Sequence, residues 1–325
     1  MRLKMVPNDT KFDFFSVSKI AITLSTTLVI GTIIAFFTMG LNFGIDFRGG
    51  TMIMVETPES VEVSAYRALL NDVVDGDVTV TELSDPAAAL TGEAKHIIMV
   101  RIEQIGDDAA VQNDLIRLVK TTLSDTFEGI VFLQTDSVGA KVSGELVQAG
   151  ILAIVLAVGA VLFYIWLRFE WQFSVGAVVA LVHDVFITIG IFCITQIEFN
   201  LTIIAAILTI VGYSLNDTVV VFDRVRENLR RYKTMELKEV LNLSINETLS
   251  RTIMTSVTTL IALLTLYFLG GDVIRGFTFA MIWGVLIGTY SSIFVASVIL
   301  LRLGVKRDWD KTDNAAGTQF SDIDA

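Results

Sequence analysis

Along the 325-residue chain, apolar positions gather into six runs long enough to cross a bilayer, and one long polar segment separates the first run from the other five. A helix needs about 20 apolar residues to span the hydrocarbon layer. The runs cover residues 20–41, 146–167, 173–196, 201–222, 253–269 and 277–301. The first exceeds the apolar region of a cleaved leader, and Asn42-Phe43-Gly44 offers no small-x-small cleavage site, so it reads as a retained anchor. In the polar segment, 42–143, alternating positions predict strands at 52–56, 78–82, 97–103 and 130–134, and helical spacing marks 63–74 and 109–123. The order βαββαβ predicts a ferredoxin-like α+β domain, with two helices on one sheet face and the other face free for a partner.

Composition agrees with a polytopic helical membrane protein. Hydrophobic residues make up 53% and charged residues 18%, and the mean hydropathy is +0.66, too apolar for a soluble globule of this length. The single Cys193 excludes an intrachain disulfide scaffold. A net charge of -11 argues against nucleic acid as partner, because phosphate binding needs a basic face. Most of that charge lies in 42–143, which holds 17 acidic and 7 basic residues. Sixteen of the 24 Lys and Arg fall in segments that place both termini in the cytoplasm, and the short outer loops 197–200 and 270–276 carry only Arg275. The resulting plan is a cytoplasmic N-terminus (1–19), a first span (20–41), an outer domain (42–143), spans two to four (144–222), a cytoplasmic loop (223–251), spans five and six (252–301) and a cytoplasmic tail (302–325), unstructured from Asp308.

Ionisable residues at membrane depth are costly and mark ion routes or helix partners. Asp217 lies in apolar sequence before the polar Asp223-Arg224, where a carboxyl can load and release a proton; the competing reading is a structural carboxylate satisfied by hydrogen bonds or water. Arg251 opens the fifth span and cannot surrender its charge, so it acts on a nearby carboxylate, Asp217 foremost, or simply obeys the positive-inside rule. His183-Asp184 sits in the middle of the third span. Neighbours on a helix point about 100° apart, which predicts that the two side chains do not serve one point. Asp184 reads as a second relay station or a protonated donor tying helices together, and His183 as a helix-bonding histidine. Gly212 and Gly284-Gly288 predict close helix contacts. No nucleotide loop, hydrolase elbow or metal-ligand cluster occurs, so neither catalysis nor a cofactor is implied.

Several stretches together resemble the SecF branch of the SecD/SecF protein-export family. Gly44-Ile45-Asp46-Phe47-Arg48-Gly49-Gly50-Thr51 is similar to its GxDFxGG signature, Ala180-Leu181-Val182-His183-Asp184-Val185 to its third-span motif, and Val211-Gly212-Tyr213-Ser214-Leu215-Asn216-Asp217 through Asp223-Arg224 to Asn228 to its long fourth-span motif. Ser250-Arg251-Thr252 and Gly270-Gly271 add to the likeness. The family has proline after the stretch Asp136-Ser137-Val138-Gly139, and Ala140 here predicts a looser hinge between outer domain and second span.

The resemblance implies a six-span half of an RND-type transporter in the bacterial inner membrane. SecD would supply the other half, and the SecYEG translocon, YajC, preproteins and membrane lipid would be the partners. It also implies use of the proton gradient in late export steps, with a proton relay through Asp217 and Arg251 and Asp184 second. A small-molecule exporter and a purely structural adaptor are the alternatives.

Overall fold

The computed structural model describes residues 10–58, 60–74, 76–83, 96–104 and 109–305. The predicted tail from Asp308 and the basic residues Arg2, Lys4, Lys306, Arg307 and Lys311 of the orientation argument lie outside the described residues. Helix α1 (Ser18–Thr38) is followed by a one-turn helix, α2 (Ile45–Arg48). Strand β1 (Gly50–Thr57), helix α3 (Val63–Asn71), strands β2 (Val78–Leu83) and β3 (His96–Ile102), helix α4 (Ala109–Thr126) and strand β4 (Val131–Val138) then build one α/β domain.

The strand order is β2-β3-β1-β4 with every pair antiparallel, the ferredoxin-like order that the pattern predicted. Period-two alternation sends Ile53, Val55, Val80, Ile98, Val100 and Ile102 to one face, where Tyr66 and Leu70 of α3 and Val119 and Leu123 of α4 close over them. A bulge between Met54 and Val55 shifts the register against the edge strand β4. The opposite face is not wholly free. Its Arg101 reaches the membrane half, as described below.

Beyond β4, Gly139 alone separates the sheet from helix α5 (Ala140–Arg168). Helices α6 (Trp171–Thr195), α7 (Leu201–Arg231), α8 (Leu237–Leu269) and α9 (Asp272–Ser291) follow, and a π-helical turn (Ser292–Ala296) joins α9 to α10 (Ser297–Leu303). Six helical stretches are long and apolar enough to cross a membrane, as the apolar runs predicted. Two of them continue into the expected loop 223–251. Val225 and Leu229 prolong the apolar stripe of α7 and pack against Val240, Leu241 and Ile245 of α8, so the polar stretch is a helical hairpin. Residues Thr10 to Phe14 lie along that hairpin, with Asn246 and Asn242 accepting from the backbone N–H of Phe12 and Phe14.

Helix α7 crosses α9 at close range. A Cβ at Gly288 would stand 3.0 Å from the Cβ of Ser214, so glycine there sets the approach. Gly284 likewise faces Ile210, whereas Gly212, also expected at a contact, has nothing within 4 Å and lies on the outer surface of α7.

Candidate functional site

Asp184 is completely buried where α6, α7 and α9 meet. Its Oδ2 accepts from Ser214 Oγ of α7 at 2.5 Å and from Ser291 Oγ of α9 at 2.7 Å, and its Oδ1 lies 2.9 Å from His183 Nδ1. One carboxyl therefore joins three helices. The 100° offset of neighbouring residues does not keep His183 away, because its ring swings back along the helix to the carboxyl. The other face of that ring region belongs to Tyr290, whose ring centroid is 6.3 Å away. Tyr290 in turn donates to Ala21 O and pairs with Ser25 Oγ of α1 at 2.9 Å. Hydrogen bonds thus join α1 to α9 at Tyr290 and α6 to α7 and α9 at Asp184, and the His183–Tyr290 ring contact lies between the two sets. The π-helical turn starts directly after Ser291, so the widened turn lies at the level of this network.

Asp217 lies one helical turn beyond Ser214 on α7. It is 3% exposed, and its Oδ2 is buried without a hydrogen-bond partner. Arg251 of α8 is the charge that acts on it, yet no ion pair within 4 Å joins them, and Arg251 is exposed. Thr252, next to Arg251, also holds a buried hydroxyl without a partner, as does Tyr213 on α7. Asp217 and Arg251 thus stand on neighbouring helices within electrostatic reach of each other but without an ion pair, and Asp184 forms a separate centre with both carboxyl oxygens bonded, beside a buried His183 Nε2 that has no partner.

The remaining motif residues divide by task. Asp46 of α2 accepts the backbone N–H of Leu201 at 2.9 Å and so caps α7, together with Asn200, whose Oδ1 takes the N–H groups of Thr202 and Ile203. Phe47 packs beside Phe43 and Phe199, and in the loop before α7 Phe199 O accepts the backbone N–H of Gly44 at 2.9 Å while its own N–H donates to Asn42 O at 2.7 Å. Gly49 (φ +77) and Gly50 (φ +126) adopt backbone conformations closed to other residues, and Gly50 lies against the carbonyl of Ile102. At the far end of α7, Asp223 pairs with Arg168 at 2.9 Å, and Arg224 clamps Glu247 of α8 at 2.7 Å. Asn216 and Gly212 are exposed on the same side of α7, in a stripe continued by Thr202, Ala205 and Thr209.

Sequence reasoning missed Ser214 and Ser291 as partners of Asp184, and Glu198, which forms an ion pair with Arg101 of β3. The signals were present but unspecific. Serines inside apolar runs and a carboxylate in a four-residue loop are common, and only the crossing geometry selects these. Among the described residues no cluster of His, Cys, Asp or Glu could hold a metal ion.

The family model described as "Protein export membrane protein SecD/SecF, C-terminal" matches residues 118–306, and the "SecD/SecF GG Motif" matches 34–57. A protein translocase subunit SecF of Cereibacter sphaeroides is 52% identical over 324 residues, covering 100% of this chain and 99% of the relative. One from Rickettsia bellii is 41% identical, covering 92% and 95%. The crystal structure of SecDF from Thermus thermophilus, a translocon-associated membrane protein, matches with TM-score 0.79 at 33% identity over 92% of this chain, which spans 39% of that longer chain. SecDF in a super-membrane-facing form matches with TM-score 0.65 at the same identity, over 93% of this chain and 40% of that one.

Proposed function

The chain belongs to the SecF branch of the SecD/SecF protein-export family, and from that membership we propose that it couples the proton gradient to late steps of preprotein translocation through Asp217. The observation that carries this reading is the buried, unpartnered Oδ2 of Asp217, which lies within electrostatic reach of the Arg251 charge but is not ion-paired with it. A buried carboxylate oxygen with no donor is costly, and it is relieved by a proton or by approach of the guanidinium. Exchanging one for the other moves α7 against α8, which turns proton binding into helix motion, provided one arrangement holds the proton more tightly. A membrane potential supplies about 2.3 kcal/mol per charge per 100 mV. Asp184, already bonded to three helices, serves as the pivot or as a second station.

In this reading the protein lies in the bacterial inner membrane with both termini cytoplasmic and the α/β domain periplasmic, where the domain meets emerging preprotein. SecD packs on the exposed small and polar stripe of α7, from Thr202 to Asn216, since such residues at membrane depth suit a helix partner. SecYEG and YajC complete the assembly. The α/β domain is tied to the bundle through Gly139 and the GG segment, so a shift of α5 and α7 reaches it.

Preprotein export into proteoliposomes holding SecD with either the wild-type chain or Asp217→Asn, at matched levels, tests the reading. Gradient-dependent export is lost in the variant while complex assembly persists. Unchanged export would dismiss Asp217 as the carrier and leave the structural-adaptor alternative.

A further inference from the structure

Where α5 ends and the α7–α8 hairpin begins, a cavity of about 560 Å³ is lined by Arg168, Asp223, Arg226, Glu227, Arg230 and Arg231. Four guanidinium groups share it with two carboxylates, and both carboxylates are already engaged. Asp223 holds Arg168 at 2.9 Å and Arg226 at 3.8 Å, and Glu227 is taken at 2.6 Å by Arg224, which does not line the cavity. Arg168 and Arg230 both act on Arg226 as like charges, opposed by the carboxylates of Asp223 and Glu170. The guanidiniums of Arg168 and Arg226 are held against one ring, that of Phe169, at 5.1 and 5.3 Å, and Arg226 also donates to Arg168 O at 3.3 Å. The Arg226 Nε is buried and has no hydrogen-bond partner. Positive charge is thus gathered and fixed in orientation, and the Arg226 Nε is left without an acceptor. This is the arrangement that takes a phosphate through paired N–H groups.

The height of the cavity identifies the source of that phosphate. Trp166 and Leu167, just before Arg168, and Trp171, just after Phe169, are 62%, 65% and 57% exposed. Exposed tryptophans at the end of a spanning helix lie at the headgroup level, beside Lys and Arg that face the same layer. Acyl chains would run along the exposed lower surface of α5 while the headgroup entered the cavity. We propose that this cavity binds the phosphate of an anionic phospholipid headgroup, with Arg226 and Arg168 as its principal contacts.

Native mass spectrometry of the chain purified with SecD, titrated in turn with dioleoylphosphatidylglycerol, dioleoylphosphatidylcholine and inorganic phosphate, tests this. The wild type retains phosphatidylglycerol in preference to phosphatidylcholine. In the double variant Arg168→Gln with Arg226→Gln, affinity for phosphatidylglycerol falls roughly tenfold or more, the scale of losing charge-assisted hydrogen bonds. Arg302→Gln, at the same end but outside the cavity, leaves it unchanged. Arg226→Lys keeps the charge and the fold but loses the fork, and still weakens binding several-fold, so the test survives if the double variant does not fold. Equal retention of both lipids, an equal loss in Arg302→Gln, no loss in Arg226→Lys, or inorganic phosphate displacing the lipid at equal concentration would each overturn the proposal.

Discussion

Arg101, on the sheet face turned away from α3 and α4, forms an ion pair with Glu198 in the loop that joins α6 to α7. Asp46 stands beside the same pair and caps α7 from the α2 turn. The α/β domain and the membrane bundle therefore meet through a small charged joint as well as through the backbone link at Gly139.

That joint predicts a pH dependence. Burial pushes the Glu198 carboxyl above its ordinary value of 4.5, against the opposing pull of Arg101 and with added repulsion from Asp46. A carboxyl whose value is raised in the docked state binds its proton more tightly there than when undocked. Its contribution to docking is therefore fullest below 4.5 and is lost as pH rises through the higher docked value. Thermal unfolding of the purified complex between pH 4 and 8 should show this slope, and Glu198→Gln should flatten it. Arg101→Ala should cost about 1–3 kcal/mol, since it strips a half-buried carboxylate of its partner. A slope identical in Glu198→Gln and wild type would remove Glu198 from the joint.

The Asp184 centre should behave as one unit. Ser291→Ala removes one of two hydroxyl donors and should cost about 1 kcal/mol, while Asp184→Ala leaves Ser214, Ser291 and His183 without their common acceptor and should cost about 2–4 kcal/mol. The Ser214→Ala and Ser291→Ala pair should be non-additive in a double-mutant cycle read by melting temperature in detergent. Strict additivity would mean that the two serines do not share the carboxyl.

Gly50→Ala should be among the most damaging small substitutions. The residue sits at φ +126, and a Cβ would press on the carbonyl of Ile102 in the neighbouring strand. A loss of about 2 kcal/mol or more is expected from the strain and the clash together. Limited proteolysis of the α/β domain checks it, and wild-type resistance in the variant would contradict the geometry.

Ala140→Pro should stabilise. Ala140 is the first residue of α5, where proline is welcome, and Gly139 before it already has the extended ψ of 154° that a following proline demands. A gain of about 0.4–1 kcal/mol is expected, because the unfolded chain loses freedom while the folded one keeps its bonds. The present Ala140 therefore leaves the one-residue link between β4 and α5 less restrained than proline would. A lowered melting temperature would show that the joint needs another backbone conformation.

The chain's own pattern determined its class. Six apolar runs and one alternating polar segment dictate six spanning helices and a ferredoxin-like sheet, because each burial face is written locally with period 3.6 or period 2. Asp217, Arg251 and Asp184 could be singled out the same way, since charge in an apolar run is conspicuous wherever the helix ends up. Tertiary structure alone decided the partnerships. Ser214 and Ser291 meet at Asp184 because glycines let α9 close on α7, Arg101 finds Glu198 because strand register aims it at a loop 97 residues away, and Arg226 meets Arg168 because α5 ends beside the start of the α7–α8 hairpin. Such contacts depend on crossing angles and registers between distant segments, and no single stretch of sequence encodes the position of another.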